Sequence, residues 1–223
     1  MTKIRATKIL FDLDGTLVDT AVDLHAATNH VLEKLGRKQV ALDQVRHMTG
    51  FGALKLIERG LEATGGVADL NLERLRVDFL EYYRANLSVH SRPYEGCVAM
   101  LEYLKQSDFK LGVCTNKPID MAIPLLKDLG ISTFFDATTG GDSFAFKKPD
   151  KRHLFATSDM LRGSGQTVMI GDSSPDIKAA KSAKYPVIAV SYGYSDVPLA
   201  GLAPNHIVNS LSEIPSLLEL DPS

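Results

Sequence analysis

The chain has 223 residues, which at ~150 residues per domain fits one large domain or one domain with a sizeable insertion. Hydrophobic residues make up 44% and charged residues 23% of the sequence, a globular composition that excludes wholesale disorder. The 25 Lys and Arg residues against 27 Asp and Glu leave a formal charge of -2, so the chain has neither the basic excess of a nucleic-acid-binding protein nor a polybasic membrane anchor.

No apolar stretch approaches the ~20 residues that a membrane-spanning helix needs, and residues 1–5 lead directly into a short apolar run rather than into a signal peptide. The sequence therefore predicts a cytoplasmic protein that binds neither membranes nor nucleic acids. Its two cysteines, Cys97 and Cys114, match neither a disulfide framework nor a zinc site, so we expect reduced thiols. The six histidines have no metal-ligand spacing either.

Short β-rich runs recur along the chain with helical stretches between them. This alternation is typical of a parallel sheet covered by helices and predicts the α/β fold class. Because each later run is followed by a stretch with helical spacing, we expect the connections to be crossover helices. The predicted strands are residues 8–13, 110–115, 134–139, 167–171, 187–191 and 206–208.

The interval between the first two predicted strands, residues 14–109, is much longer than a crossover connection requires. Strand signals are almost absent from it, whereas apolar residues recur at helical spacing in residues 24–35, 54–61 and 72–87. The sequence therefore predicts a small all-helical subdomain inserted after the first strand.

Two short linkers, residues 15–19 and 88–93, connect this insert to the rest of the chain and predict a hinged cap. The predicted domains are a catalytic core and a helical cap. The core comprises residues 1–15 and 91–223, and the cap comprises residues 16–90.

Carboxylates follow two of the predicted strands. Asp12 and Asp14 come at the end of the first strand, and Asp172 and Asp176 follow the fourth. Such acids also occur in Asp-Gly turns and at helix N-termini, but here they recur where the carboxyl ends of parallel strands form a ligand crevice. Four clustered carboxylates repel one another unless a cation binds, and hard oxygen ligands favour Mg²⁺.

Groups suited to binding an anion follow the other strands. Thr115 and Asn116 precede Pro118 at the start of a predicted helix, where free backbone N–H groups bind anions. Lys147 and Lys148 precede a further helix and supply positive charge, although a lysine pair alone is usually solvated. The sequence thus predicts a phosphate site beside a metal site.

These segments resemble the four motifs of the haloacid dehalogenase superfamily, in the order that the superfamily has them. The first is Phe11-Asp12-Leu13-Asp14-Gly15-Thr16-Leu17-Val18-Asp19-Thr20, the second Thr115-Asn116, the third Lys148-Pro149, and the fourth residues 171–176. The first motif is very specific, and together the four cover nearly the whole chain. The resemblance implies a Rossmann-like three-layer core with a parallel sheet and a small all-helical cap inserted after the first strand.

By this resemblance Asp12 would be the nucleophile that attacks phosphorus and forms an aspartyl-phosphate. Asp14 would act as general acid on the leaving alcohol and then as general base on water. Mg²⁺ would be held by Asp12, the Asp14 backbone carbonyl and Asp172, with Asp176 binding it directly or through water.

The remaining site residues implied by the resemblance bind the substrate. Thr115 and Lys148 would act in catalysis by binding the transferring phosphoryl oxygens, and Thr16 and Asn116 would bind the substrate with them. The cap turn of residues 49–53 is predicted to face the site. Its members Gly50, Phe51 and Gly52 would contribute backbone groups with little side-chain reach.

Three further segments most resemble, within the superfamily, those of bacterial phosphoglycolate phosphatases. They are Thr115-Asn116-Lys117-Pro118, Gly140-Gly141-Asp142 and Ser191-Tyr192-Gly193-Tyr194. Asp14 argues against the dehalogenating members, because halide leaves without a proton. The expected substrate is a small phosphorylated metabolite, with 2-phosphoglycolate the leading candidate, and the expected state is a monomer or homodimer. Two alternatives are a phosphohexose mutase, whose cap turn carries more polar and basic residues, and a phospho-accepting receiver-like signalling domain, which needs neither a cap nor Asp14.

One position departs from the superfamily pattern in a way that the backbone can test. Relatives usually end the helix after Asp176 on glycine, which adopts left-handed backbone easily. This chain has Lys184-Tyr185 at that place.

Overall fold

Ten β-strands and ten α-helices occur in the computed structural model, which describes residues 3–221. The bounds of the six predicted strands agree with the structure to within a few residues. The third predicted strand, residues 134–139, begins only at Ala137, and Ser132–Phe134 form a 3-10 turn before it. The strands are β1 (Ile4–Ala6), β2 (Lys8–Phe11), β3 (Val18–Asp19), β4 (Arg92–Pro93), β5 (Lys110–Cys114), β6 (Ala137–Thr139), β7 (Thr167–Gly171), β8 (Val187–Val190), β9 (His206–Val208) and β10 (Leu218–Leu220).

Six of these strands form one parallel sheet in the order β6-β5-β2-β7-β8-β9. Strand β2 is central, with Phe11 paired to Val113 on one side and to Ile170 on the other. Every residue of β2, β7 and β8 is buried, as expected for a parallel sheet covered on both faces. The predicted α/β, Rossmann-like fold class is confirmed.

Helices cover both faces of the sheet. Side chains from one sheet face pack with α5, α6 and the C-terminal segment, and side chains from the other face pack with α7 and α8. None of the helices in residues 3–221 is long and apolar enough to cross a membrane. The helices are α1 (Ala21–Lys34), α2 (Leu42–Met48), α3 (Ala53–Glu62), α4 (Leu72–Ala85), α5 (Cys97–Gln106), α6 (Ile119–Asp128), α7 (Lys151–Met160), α8 (Ser174–Ala183), α9 (Leu199–Leu202) and α10 (Ile214–Leu217).

The long interval after β2 contains helices α1–α4, which pack against one another and are here called the helical insert. Its two connections pair as the short antiparallel strands β3 and β4, with Val18 opposite Pro93. Tyr194 contacts the first of these connections, because its hydroxyl accepts hydrogen bonds from the Thr20 and Ala21 amides at 2.8 and 2.9 Å. The exact division of the chain into core and cap domains stays a prediction.

The end of α8, where this chain has Lys184 in place of the usual glycine, is explained by its backbone conformation. Lys184 itself adopts the left-handed conformation, with φ 59° and ψ 30°, that a glycine would adopt more easily. The amide of Tyr185 still donates to the Ala180 carbonyl at 2.9 Å, so the helix closes in the usual way.

Candidate active site

The first two carboxylates are positioned by the end of the central strand. The amide of Asp12 donates to the Ile170 carbonyl at 2.9 Å, which extends the sheet ladder to this residue. The chain then turns at Gly15, whose φ is +82° and where a Cβ atom would lie 2.5 Å from Asp172 Oδ2. Only glycine fits this turn, and the turn brings Asp14 back toward the carboxyl edge of the sheet.

Asp12, Asp172 and Asp176 form a buried acidic cluster whose oxygen atoms lie within 4.8 Å of one another. Each is held by a backbone amide. Leu13 N donates to Asp12 Oδ1 at 2.8 Å, Tyr194 N to Asp172 Oδ2 at 2.6 Å, and Ser173 N to Asp176 Oδ2 at 3.1 Å. The carboxylates are therefore fixed in place by the fold itself.

Lys148 bridges two members of this cluster. Its Nζ lies 2.9 Å from Asp12 Oδ1 and 2.6 Å from Asp176 Oδ1, and both partners are buried. Burial alone lowers the pKa of Lys148, but the two carboxylates outweigh it and raise that pKa above its usual value. Three carboxylates against one ammonium leave an excess of two negative charges.

Burial, together with the neighbouring negative charge, raises the pKa values of Asp12 and Asp172. Burial, with the charge of Asp176, raises the pKa of Asp12 to about 7 although Lys148 lowers it. Burial and the same neighbouring carboxylates raise the pKa of Asp172 well above its usual value. A divalent cation would neutralise this charge, and a set of hard oxygen donors is the kind that Mg²⁺ prefers. The residues present therefore fit such an ion.

Thr115 and Asn116 follow β5 at the same edge of the sheet. The Thr115 hydroxyl accepts a hydrogen bond from Lys117 N at 3.2 Å. The Asn116 side-chain amide donates to the carbonyls of Gly50 and Lys148, each at 3.0 Å. Asn116 thus ties the third motif to the turn between α2 and α3.

A cavity of about 40 Å³ lies between these residues and the helical insert. The core contributes seven lining residues that include Asp12, Asp14 and Thr115, and the insert contributes Thr49, both glycines of its turn and a wall of apolar side chains. The cavity is lined by Asp12, Asp14, Thr115, Asn116, Lys117, Pro118 and Met121 of the core and by Leu24, Thr49, Gly50, Gly52, Ala53, Leu56, Phe79, Leu80 and Tyr83 of the insert.

Three of the predicted substrate-binding residues, Thr16, Phe51 and Lys148, do not line this cavity. Lys148 is buried between Asp12 and Asp176. The Phe51 ring lies 4.5 Å from the Arg59 guanidinium, outside the cavity, and only its carbonyl faces the core, where it accepts from Lys147 Nζ at 3.3 Å. The Thr16 hydroxyl is buried and donates to Asp172 Oδ1 at 2.7 Å. Thr16 therefore orients a carboxylate instead of facing the cavity.

Two residues that the sequence analysis did not single out complete the cavity. Lys117 Nζ lies 2.9 Å from Asp14 Oδ1 and 2.6 Å from the Tyr83 hydroxyl, and Lys117 and Tyr83 are only 5% and 2% exposed. Tyr83 follows the apolar periodicity of α4, which indicates packing alone. Lys117 sits beside Thr115 and Asn116 in the sequence, and that adjacency was the available signal.

Comparison with known proteins defines the class. Residues 9–190 match the family model described as haloacid dehalogenase-like hydrolase, and the chain belongs to this family. The predicted enzyme class, phosphoric monoester hydrolase, is confirmed at that level.

Within the family the chain is similar to phosphoglycolate phosphatases. It is 42% identical over 214 residues to the phosphoglycolate phosphatase of Agrobacterium fabrum, covering 94% of this chain and 91% of that protein. It is 38% identical over 214 residues to that of Caulobacter vibrioides, covering 95% and 90%. A crystal structure of a predicted phosphoglycolate phosphatase from Haemophilus somnus 129pt superposes with a TM-score of 0.86 at 31% identity, covering 94% of this chain and 96% of that one.

Proposed function

We propose that this protein is a Mg²⁺-dependent phosphatase that hydrolyses a small phosphomonoester, with 2-phosphoglycolate as the best candidate, through an aspartyl-phosphate on Asp12. The observation that carries the proposal is the buried ion pair of Asp12 and Lys148, because Asp12 also lines a cavity together with Asp14 and Thr115. The similarity to phosphoglycolate phosphatases supports the choice of substrate.

The two oxygens of Asp12 have different surroundings. Oδ1 accepts from Leu13 N and Lys148 Nζ, whereas Oδ2 accepts no hydrogen bond from any residue in 3–221. We assign Oδ2 as the attacking atom. As the Oδ2–P bond forms, the bond from phosphorus to the leaving oxygen breaks, and Asp14 gives that oxygen a proton. Asp14 then takes a proton from the water that hydrolyses the aspartyl-phosphate.

Charge on the transferring phosphoryl group is met by groups fixed in advance. Thr115 offers its hydroxyl, Asn116 its backbone amide, and Lys148 its ammonium, which already lies against Asp12. Fixed donors of this kind stabilise the transition state without reorganisation during the reaction.

We assign Mg²⁺ to Asp12, the Asp14 carbonyl and Asp172. Asp176 Oδ1 lies against the Lys148 ammonium and Asp176 Oδ2 accepts two hydrogen bonds from Ser173, whereas each oxygen of Asp172 accepts only one hydrogen bond. We therefore place Asp176 in contact with the ion through water. When bound, the ion supplies charge neutralisation to the phosphoryl group and the carboxylates.

The helical insert favours a compact substrate. Its contribution to the cavity wall is apolar apart from Thr49, Tyr83 and the backbone of the glycine turn, which is a poor surface for sugar hydroxyls. We therefore favour hydrolysis of a small metabolite over a phosphohexose mutase. A cytoplasmic location of the protein and a monomeric or homodimeric state stay predictions from the sequence.

Phosphate release by the purified protein tests this function. With Mg²⁺ present, we expect kcat/KM for 2-phosphoglycolate to exceed that for glucose 6-phosphate and for nucleoside monophosphates by at least about tenfold. The matched control is Asp12→Asn, which keeps the shape of the side chain and cannot form the acyl-phosphate. Preference for a hexose phosphate, or release by the control at a similar rate, would contradict the proposal.

A further inference from the structure

Lys117 is the one cationic side chain that lines the cavity among the residues described. It is 5% exposed, and its Nζ lies 4.4 Å from the centre of the Tyr83 ring. Burying a lysine is costly unless its charge is compensated, so the fold holds this ammonium at the cavity wall for a reason beyond packing.

The hydrogen bonds of Lys117 and Tyr83 leave donors unused. An ammonium has three N–H groups, and two partners are present in residues 3–221, Asp14 Oδ1 at 2.9 Å and the Tyr83 hydroxyl at 2.6 Å. The Tyr83 hydroxyl accepts from Lys117, and no residue in the described part of the chain accepts from it. One N–H group of Lys117 and the O–H group of Tyr83 are therefore left without an acceptor at the buried wall of the cavity.

The insert side chains that line the cavity offer no charged acceptor. Besides Tyr83 they are the hydroxyl-bearing Thr49 and the apolar Leu24, Ala53, Leu56, Phe79 and Leu80. A ligand that fills the cavity must therefore supply the acceptor itself, and the charge of Lys117 favours an anionic one.

We propose that Lys117 and Tyr83 form a subsite for a carboxylate on the leaving group of the substrate, and that this subsite selects phosphate esters of short hydroxy acids. The inference rests on the proposed function, because it assumes that Asp14 faces the leaving oxygen. Since Lys117 Nζ is hydrogen-bonded to Asp14, the carboxylate that it binds must lie within one or two carbons of that oxygen.

The test compares two substrates that differ only in the carboxylate. For 2-phosphoglycolate and 2-hydroxyethyl phosphate we would measure kcat/KM with the wild type, Lys117→Met and the matched control Lys147→Met. Lys147 lies just outside the cavity, with Nζ 3.3 Å from the Phe51 carbonyl. We expect the wild type and the control to prefer the carboxylate by at least about tenfold, and Lys117→Met to lose most of this preference through a higher KM.

A merely structural role gives a different result. If Lys117→Met and Tyr83→Phe slowed both substrates by the same factor, the two residues would act only by positioning Asp14, and the subsite would be wrong. The subsite would also be wrong if Lys117→Met kept the preference for the carboxylate substrate and the control Lys147→Met lost it.

Binding to the wild type keeps the inference testable even if a variant does not fold. We expect 3-phosphonopropionate to inhibit at a concentration at least about tenfold lower than propylphosphonate does. Equal inhibition by the two would refute the subsite. A wild type that hydrolyses no phosphomonoester would refute the proposed function, whereas one that hydrolyses both esters equally well would refute only the carboxylate subsite.

Discussion

Replacing Asp12 with asparagine is expected to abolish turnover and, at the same time, to stabilise the metal-free fold. Asp12 is 4% exposed, and burial together with the charge of Asp176 raises its pKa to about 7 in the metal-free protein although Lys148 lowers it. In the unfolded chain an aspartate has a pKa of about 3.9. At a pH between these two pKa values, the carboxyl group is ionised in the unfolded chain and still protonated in the folded protein. Raising the pH in this range therefore favours unfolding.

The size of the effect follows from the difference between the two pKa values. A rise from 3.8 to about 7 is worth ~4 kcal/mol above pH 7, at about 1.4 kcal/mol per unit. This is an upper bound, because Lys148 keeps only Asp176 as a partner in the variant. The stability that the neutral form of Asp12 gives to the folded protein is fully present below pH ~4 and is lost as the pH rises through ~7. Asparagine cannot ionise, so the variant keeps this stability at every pH.

Urea denaturation in EDTA, followed by circular dichroism at pH 5 and pH 8, measures this difference. We expect Asp12→Asn to be more stable than the wild type by a few kcal/mol at pH 8, and this difference to be about 3 kcal/mol larger at pH 8 than at pH 5. The control is Asp159→Asn, which changes an exposed acid at the end of α7. A wild type at least as stable as the variant at pH 8, or a gap that ignores pH, would refute the electrostatic reasoning.

Three further outcomes are expected. Excess EDTA should abolish phosphatase activity and Mg²⁺ restore it, with Asp172→Ala raising the Mg²⁺ requirement; full activity in EDTA would exclude the metal. Gly50→Val should slow 2-phosphoglycolate far more than an aryl phosphate, because φ is +101° and a Cβ atom would lie 3.1 Å from Ser173 Oγ; equal slowing would mean that the turn does not act on the substrate. Lys184→Gly should raise the free energy of unfolding by up to ~1 kcal/mol, as seen in the urea midpoint, since glycine carries no penalty at φ 59°; an unchanged midpoint would contradict this.

The parts of the site that could be predicted from the sequence are those placed by the sheet. Asp12 and Asp172 directly follow strands β2 and β7, whose apolar runs are easy to recognise, and parallel strands bring their carboxyl ends to one edge. The same rule accounts for Thr115 after β5. The order of the strands in the sheet was not predicted and comes from the structure.

Other features depend on contacts between distant segments and leave no local pattern. Tyr83 lies on the apolar stripe of α4, where periodicity indicates core packing, and only the folded chain brings its hydroxyl to Lys117. The two residues of β3 and of β4 are too few to show strand periodicity. Helix α2 is missed for a similar reason, because Val45 is its one buried residue.

The carboxylates of the candidate active site are held more firmly than the helical insert that covers them. Moving the carboxylates of Asp12, Asp172 or Asp176 would break backbone hydrogen bonds of the sheet edge and the α8 N-terminus. The helical insert meets the site through isolated hydrogen bonds, such as those from Asn116 to the Gly50 carbonyl and from Lys117 to Tyr83, each worth ~1 kcal/mol or somewhat more where a charge takes part. Movement of the insert during substrate entry would therefore cost a few such bonds, whereas the reacting carboxylates would keep the backbone hydrogen bonds that fix their geometry.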